Sequence, residues 1–174
     1  RLMKEIIYKA LKDKENPNST LHDQLAGFKK ILIDDMDESQ FADIYAQTIA
    51  YGLFVARFHD DTPENFSRRE AEELVPKSNP FLRKLFHYIA GPDLDDRITW
   101  IVDALADVFL HTDIKEILKE FGKATKQDDP IIHFYETFLA AYDPELRKSR
   151  GVYYTPEPVV SFIVRSVDEI LKKE

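Results

Sequence analysis

The turn Gly151-Val152-Tyr153-Tyr154-Thr155-Pro156, followed by Glu157-Pro158 and an apolar pattern of helical period, offers this chain's best opportunity for chemistry. A helix that starts there leaves its first amides without intrahelical partners, and its dipole adds positive character at the same point. Such an end can hold an anion, for example a carboxylate, with the Thr155 hydroxyl adding a hydrogen bond. Read more plainly, Thr155 caps its helix and the two tyrosines pack. Immediately upstream, Arg147-Lys148-Ser149-Arg150 is the densest basic patch in the sequence. Arg147, Lys148 and Arg150 can touch a nucleic-acid phosphate, or they can form a solvated face.

Other constellations carry less. Pro92-Asp93 with Asp113-Ile114-Lys115 has the order of a metal-dependent nuclease site, in which paired carboxylates hold a divalent ion and a lysine assists the attacking water. The intervening sequence has helical period, however, and Asp113 falls where a helix's first turn favours an acid in any case. The clusters Asp34-Asp35-Asp37-Glu38, Asp60-Asp61, Asp93-Asp95-Asp96 and Asp128-Asp129 each precede a helical pattern and lack the spacing of a calcium loop. They are read as solvated caps. His22, His59, His87, His111 and His133 show no metal-ligand pairing, and there is no cysteine. Neither a metal site nor a catalytic residue is therefore expected within this stretch.

The surrounding composition is that of an ordinary globular chain. It has 174 residues, 44% of them hydrophobic and 32% charged, which is enough to bury one sizeable core. The formal net charge is −8, from 32 acids against 24 bases, the opposite of a domain that grips phosphates by itself. Any contact with DNA must be local or supplied by other sequence. No apolar run approaches the roughly 20 residues that cross a bilayer, and the lack of cysteine fits a reducing cytosol, so a cytoplasmic location is expected. Arg1-Leu2-Met3-Lys4-Glu5 has none of the regions of a signal peptide and reads as the interior of an amphipathic helix, as if cut from a longer chain.

Apolar residues recur at helical spacing almost throughout, so the expected fold is all-α, an irregular bundle of about seven to nine helices. The first runs over Leu2 to Lys12. A second, capped by Ser19 or Thr20, carries Leu21, Leu25, Phe28 and Leu32 inward. The longest, Ser39 to Phe58, is apolar on more than one side and central, with Gly52 admitting a close neighbour. Ser67 and Glu70 have capping-box spacing before a short helix stopped by Pro76, and Asn79-Pro80 starts the next. Ile98 to Phe109 forms another, with Trp100 taken as core, and Ile114 to Phe121 a shorter one closed by Gly122. Asp129-Pro130 and Asp143-Pro144 repeat the cap-plus-proline start, and the last helix carries Val159, Phe162, Ile163, Val167 and Ile170.

Two stretches carry a family likeness. Asp129 to Leu139, Asp-Pro-Ile-Ile-His-Phe-Tyr-Glu-Thr-Phe-Leu, and then Gly151 to Val164, Gly-Val-Tyr-Tyr-Thr-Pro-Glu-Pro-Val-Val-Ser-Phe-Ile-Val, resemble the entry segment of N6-adenine DNA methyltransferases. In that family a helix ending in Tyr-Glu, here Tyr135-Glu136, precedes a basic stretch and a Gly-x-Tyr-Tyr-Thr-Pro turn that helps hold S-adenosylmethionine. Carried over, the resemblance makes Tyr153, Tyr154, Thr155 and Pro156 cofactor-side residues. Phe41 to Phe54 is similar to the helical region ahead of the methyltransferase in single-chain restriction–modification enzymes of bacteria. The likeness implies a helical connector over 1–128 and the truncated entry of a methyltransferase domain over 129–174, whose last helix leads into an α/β domain that is missing here. It also implies partners: DNA, that downstream domain, and an upstream nuclease or motor in one chain. A homodimer through the tail is a further expectation.

Two departures matter. The five glycines, Gly27, Gly52, Gly91, Gly122 and Gly151, are too far apart for the family's glycine-rich cofactor loop. Asn79-Pro80-Phe81 lacks the second proline of the family's Asn-Pro-Pro-aromatic motif for the flipped adenine. The chain is accordingly expected to bind the cofactor weakly at most and to be inactive alone. The rival reading is a free-standing helical protein–protein interaction domain in which the Tyr-Tyr-Thr-Pro turn is only a capped corner.

Overall fold

Asp37 opens the longest helix of the bundle. Its carboxylate accepts from the Gln40 amide at 2.7 Å, while the Gln40 side chain accepts from the Asp37 amide at 3.0 Å. Two orphan donors are thus satisfied reciprocally, and the helix starts at Glu38 rather than at the Ser39 expected from periodicity. The computed structural model describes residues 1–15, 19–31, 34–62, 64–75, 80–92, 94–118, 138, 141–145, 148, 155 and 157–172. Among them there are eight helices and no strand: α1 (Leu2–Lys12), α2 (Ser19–Ile31), α3 (Glu38–Phe58), α4 (Arg68–Leu74), α5 (Pro80–Ala90), α6 (Asp96–Leu110), α7 (Ile114–Leu118) and α8 (Glu157–Leu171). The all-α expectation holds. The chain divides into two compact units, Arg1–Lys115 and Glu116–Glu174; the expected boundary between 128 and 129 lies outside the described residues.

In the first unit α3 is the hub, packing against α1, α2, α4, α5 and α6. Phe41, Tyr45, Ile49, Leu53 and Ala56 line one stripe and are buried, and Ala42, Ala46, Phe54 and Val55 extend burial around the helix. Ile7 and Leu11 of α1, Leu21 and Phe28 of α2, Phe86 of α5, and Ile98 and Val102 of α6 complete one cluster around it. Phe28 and Phe41 meet edge-on at 5.3 Å, the favoured aromatic geometry. The expected role of Gly52 is seen in detail: a Cβ there would collide with Cδ2 and Cε2 of the Phe86 ring. Only hydrogen at that position lets α5 lie so close to α3.

Ser67 caps α4 through the Glu70 amide, and Pro80 is the first residue of α5, both as the spacing implies. Ser19 and Thr20 both fall inside α2. Leu21, Leu25 and Phe28 are buried as expected, while Leu32, Pro76, Asn79, Phe121, Gly122 and the Asp129-Pro130 start lie outside the described residues.

Two readings are corrected. Trp100 is 56% exposed, not core. The buried stripe of α6 is Ile98, Val102 and Ala106, spaced i, i+4, i+8, and a residue two positions beyond Ile98 projects from the opposite side. Nor are all the acids solvated caps, since Asp60 and Asp95 are buried. Asp95 does cap α6, through the Arg97 amide at 2.8 Å, and also pairs with the Arg97 guanidinium at 3.1 Å. Asp60 accepts from Arg57 Nη1 at 2.8 Å and from the Thr62 amide at 2.8 Å.

Two arginines finish two helices. Arg57, at the end of α3, donates from Nε to the Phe109 carbonyl at 2.9 Å and from Nη2 to the Leu110 carbonyl at 3.4 Å. It also lies 5.5 Å from the centroid of the Phe66 ring. Arg68, in the first turn of α4, donates from Nη1 to the carbonyls of Ala90 and Gly91 at 3.0 and 3.1 Å and from Nε to Asp103 at 2.9 Å. The last carbonyls of α6 and α5 have no partner within their own helices, and these side chains supply one.

Candidate functional site

The last helix, α8, starts at Glu157. Thr155 stands two residues before it, exposed and non-helical. Among the first four helical residues Pro158 has no amide hydrogen, so the donors of that end are the amides of Glu157, Val159 and Val160. Amides at a helix start and a nearby threonine hydroxyl suit a carboxylate in chemical type. Of the other residues expected at the site, Tyr153, Tyr154 and Pro156 lie outside the described residues, as do Arg147 and Arg150. Lys148 is described. Its side chain is exposed, with Nζ 3.4 Å from Oε1 of Glu145.

The rest of α8 is unusual for a helix end-piece. Val159, Val160, Phe162, Ile163, Val164, Val167, Ile170 and Leu171 are all exposed, Phe162 by 72%. Ser161, Arg165, Asp168 and Lys172 share the opposite side, where Lys172 pairs with Asp168 at 2.8 Å. The helix is therefore amphipathic with its apolar side uncovered among the described residues.

Residues 126–174 match the family model of N-6 DNA methylase. No curated protein and no solved structure matches the chain. The matched segment is just over a quarter of the sequence and includes residues 151–156 and all of α8. The likeness to N-6 DNA methylases is thus confined to this segment.

Outside the matched segment, sequence reasoning missed a buried polar cluster. Tyr45 is buried beside Gln24, Tyr88 and Asp95. Gln24 donates from Nε2 to the Tyr88 carbonyl at 2.8 Å, and its buried Oε1 has no hydrogen-bond partner among the described residues. Burial first, then the negative charge of Asp95, push the Tyr45 phenol well above the ordinary tyrosine value. Burial, and then Asp23, raise that of Tyr88. Both phenols are held neutral, a state suited to a structural hydrogen bond and unsuited to proton transfer near neutrality. A tyrosine placed in the apolar stripe of a long helix was the available signal, because a buried hydroxyl demands a partner.

His87 contacts Glu72 and His111 lies near Asp107, but among the described residues no group of three His, Asp or Glu side chains can hold a metal ion. Asp113 and Lys115 of the nuclease-like pattern are exposed, and Asp93 lies outside the described residues. Among the described residues no helix is long and apolar enough to cross a membrane.

Proposed function

We propose that this chain is the helical coupler and cofactor-entry segment of an S-adenosylmethionine-dependent DNA adenine-N6 methyltransferase of a bacterial, cytoplasmic restriction–modification enzyme. The observation that carries the reading is the N-6 DNA methylase match over residues 126–174, which contains Tyr153 to Pro156. The amides opening α8 and the exposed Thr155 suit the methionine carboxylate of the cofactor. The family likeness assigns Tyr153, Tyr154 and Pro156 to the cofactor as well, and the basic stretch Arg147, Lys148 and Arg150 is the candidate for a DNA phosphate. The sequence holds neither the glycine-rich loop nor the Asn-Pro-Pro-aromatic motif, so these residues are one edge of a pocket that neighbouring sequence completes. The first unit's role is that of a packed helical spacer, carried in sequence between that segment and a nuclease or motor domain upstream.

Calorimetry with S-adenosylmethionine tests this. The chain alone is expected to bind negligibly, and a longer gene product that adds the sequence following Glu174 is expected to bind and to methylate adenine in DNA. In that longer protein Thr155→Ala should weaken the cofactor about tenfold, the worth of one hydrogen bond to a charged group. Tight binding by residues 1–174 alone would refute the unfinished pocket. A longer product that transfers no methyl group to adenine would remove the assignment and leave a free-standing protein–protein interaction domain as the better reading.

A further inference from the structure

The helix α6 presents an outward face that the proposed methyltransferase role does not use. Trp100, Ala104 and Val108 recur every fourth residue along it and are exposed, Trp100 by 56% and Val108 by 59%. Asp96, Asp103 and Asp107 form one edge of the same face and are also exposed. Asp103 is paired with Arg68 at 2.9 Å and Asp107 lies 3.5 Å from His111. Arg97, at the N-terminal end, is already engaged by Asp95 and Asp13. The face thus combines a ridge of two large apolar side chains, one of them the sequence's sole tryptophan, with a margin of three carboxylates.

We infer that this face of α6 docks an amphipathic helix carrying lysine or arginine along one margin of its apolar stripe. Tryptophan is enriched at binding hot spots. Trp100 to Val108 spans about 12 Å along the axis at 1.5 Å per residue, the length over which one helix engages another through two turns. The acidic margin decides the kind of partner. It repels nucleic-acid phosphate, and it disfavours a second copy of a chain whose net charge is −8. A basic margin on the partner completes it.

The sole tryptophan gives a direct readout on the full chain. A synthetic amphipathic helix of leucine and lysine is expected to bind with a blue shift of Trp100 emission, and its leucine–glutamate counterpart to cause none. Asp96→Asn with Asp107→Asn should weaken binding about tenfold, and Val108→Ser by a similar factor; both sites are exposed, so folding is preserved. Phe162→Ser in α8 should leave the Trp100 signal intact, which separates this face from the apolar side of α8. Binding without a Trp100 shift, equal binding of the glutamate peptide, or indifference to both α6 variants would overturn the inference.

Discussion

Gly52 and Phe86 show how one hydrogen atom sets a helix spacing. Gly52→Ala gains helix propensity of about 1 kcal/mol, yet its methyl enters the Phe86 ring, and overpacking of this kind costs about 1–3 kcal/mol. Urea unfolding of G52A should show a net loss, and adding Phe86→Leu should recover part of it. Arg57 and Asp60 pose a different case, a buried ion pair whose remaining atoms are also bonded. Removing either partner strands the other, so Asp60→Ala or Arg57→Ala should cost about 3–5 kcal/mol, and the double variant less than the sum. Tyr45 yields a pH dependence. Below its ordinary value of 10.0 the phenol is neutral folded and unfolded, and stability does not respond to it. Above that value the unfolded chain sheds the proton while the folded chain keeps it, so stability falls as pH rises. Denaturation at pH 8 to 11 should show a shallower fall in Tyr45→Phe.

At the scale of elements, period and punctuation were legible where local forces decide. The bounds of α1, the Ser67 cap, the Pro80 start and the buried stripe of α3 all follow from residues within a turn of one another. The tertiary polar contacts were not legible. Arg57 meets Phe109 and Leu110, and Gln24 meets Tyr88, across more than fifty residues of sequence; no local spacing encodes such a pairing. Trp100 was misread because its size argues for burial while its phase on α6 argues against, and phase prevailed. Of the expected cofactor edge, only Thr155 and the helix behind it are described, so its residue types were legible and its geometry was not. An exposed apolar side on α8 has its own consequence: Phe162→Ser should leave the unfolding midpoint within about 0.5 kcal/mol of the parent while reducing light scattering at high concentration.

For the molecule as a whole, the core cluster runs from Met3 to Ala106 and so belongs to the first unit. A chain ended at Lys115 should keep a cooperative melt within about 5 °C of the full protein, measured by circular dichroism; loss of cooperativity would mean that residues 116–174 hold the bundle together. The guanidinium groups of Arg57 and Arg68 bear on how such a bundle breathes. Helix ends ordinarily fray first and exchange their amide hydrogens with solvent at little cost. Here the closing turns of α5 and α6 are pinned from α4 and α3, so deuterium uptake at Ala90, Phe109 and Leu110 should track opening of the entire bundle, and those turns should be among its last parts to soften.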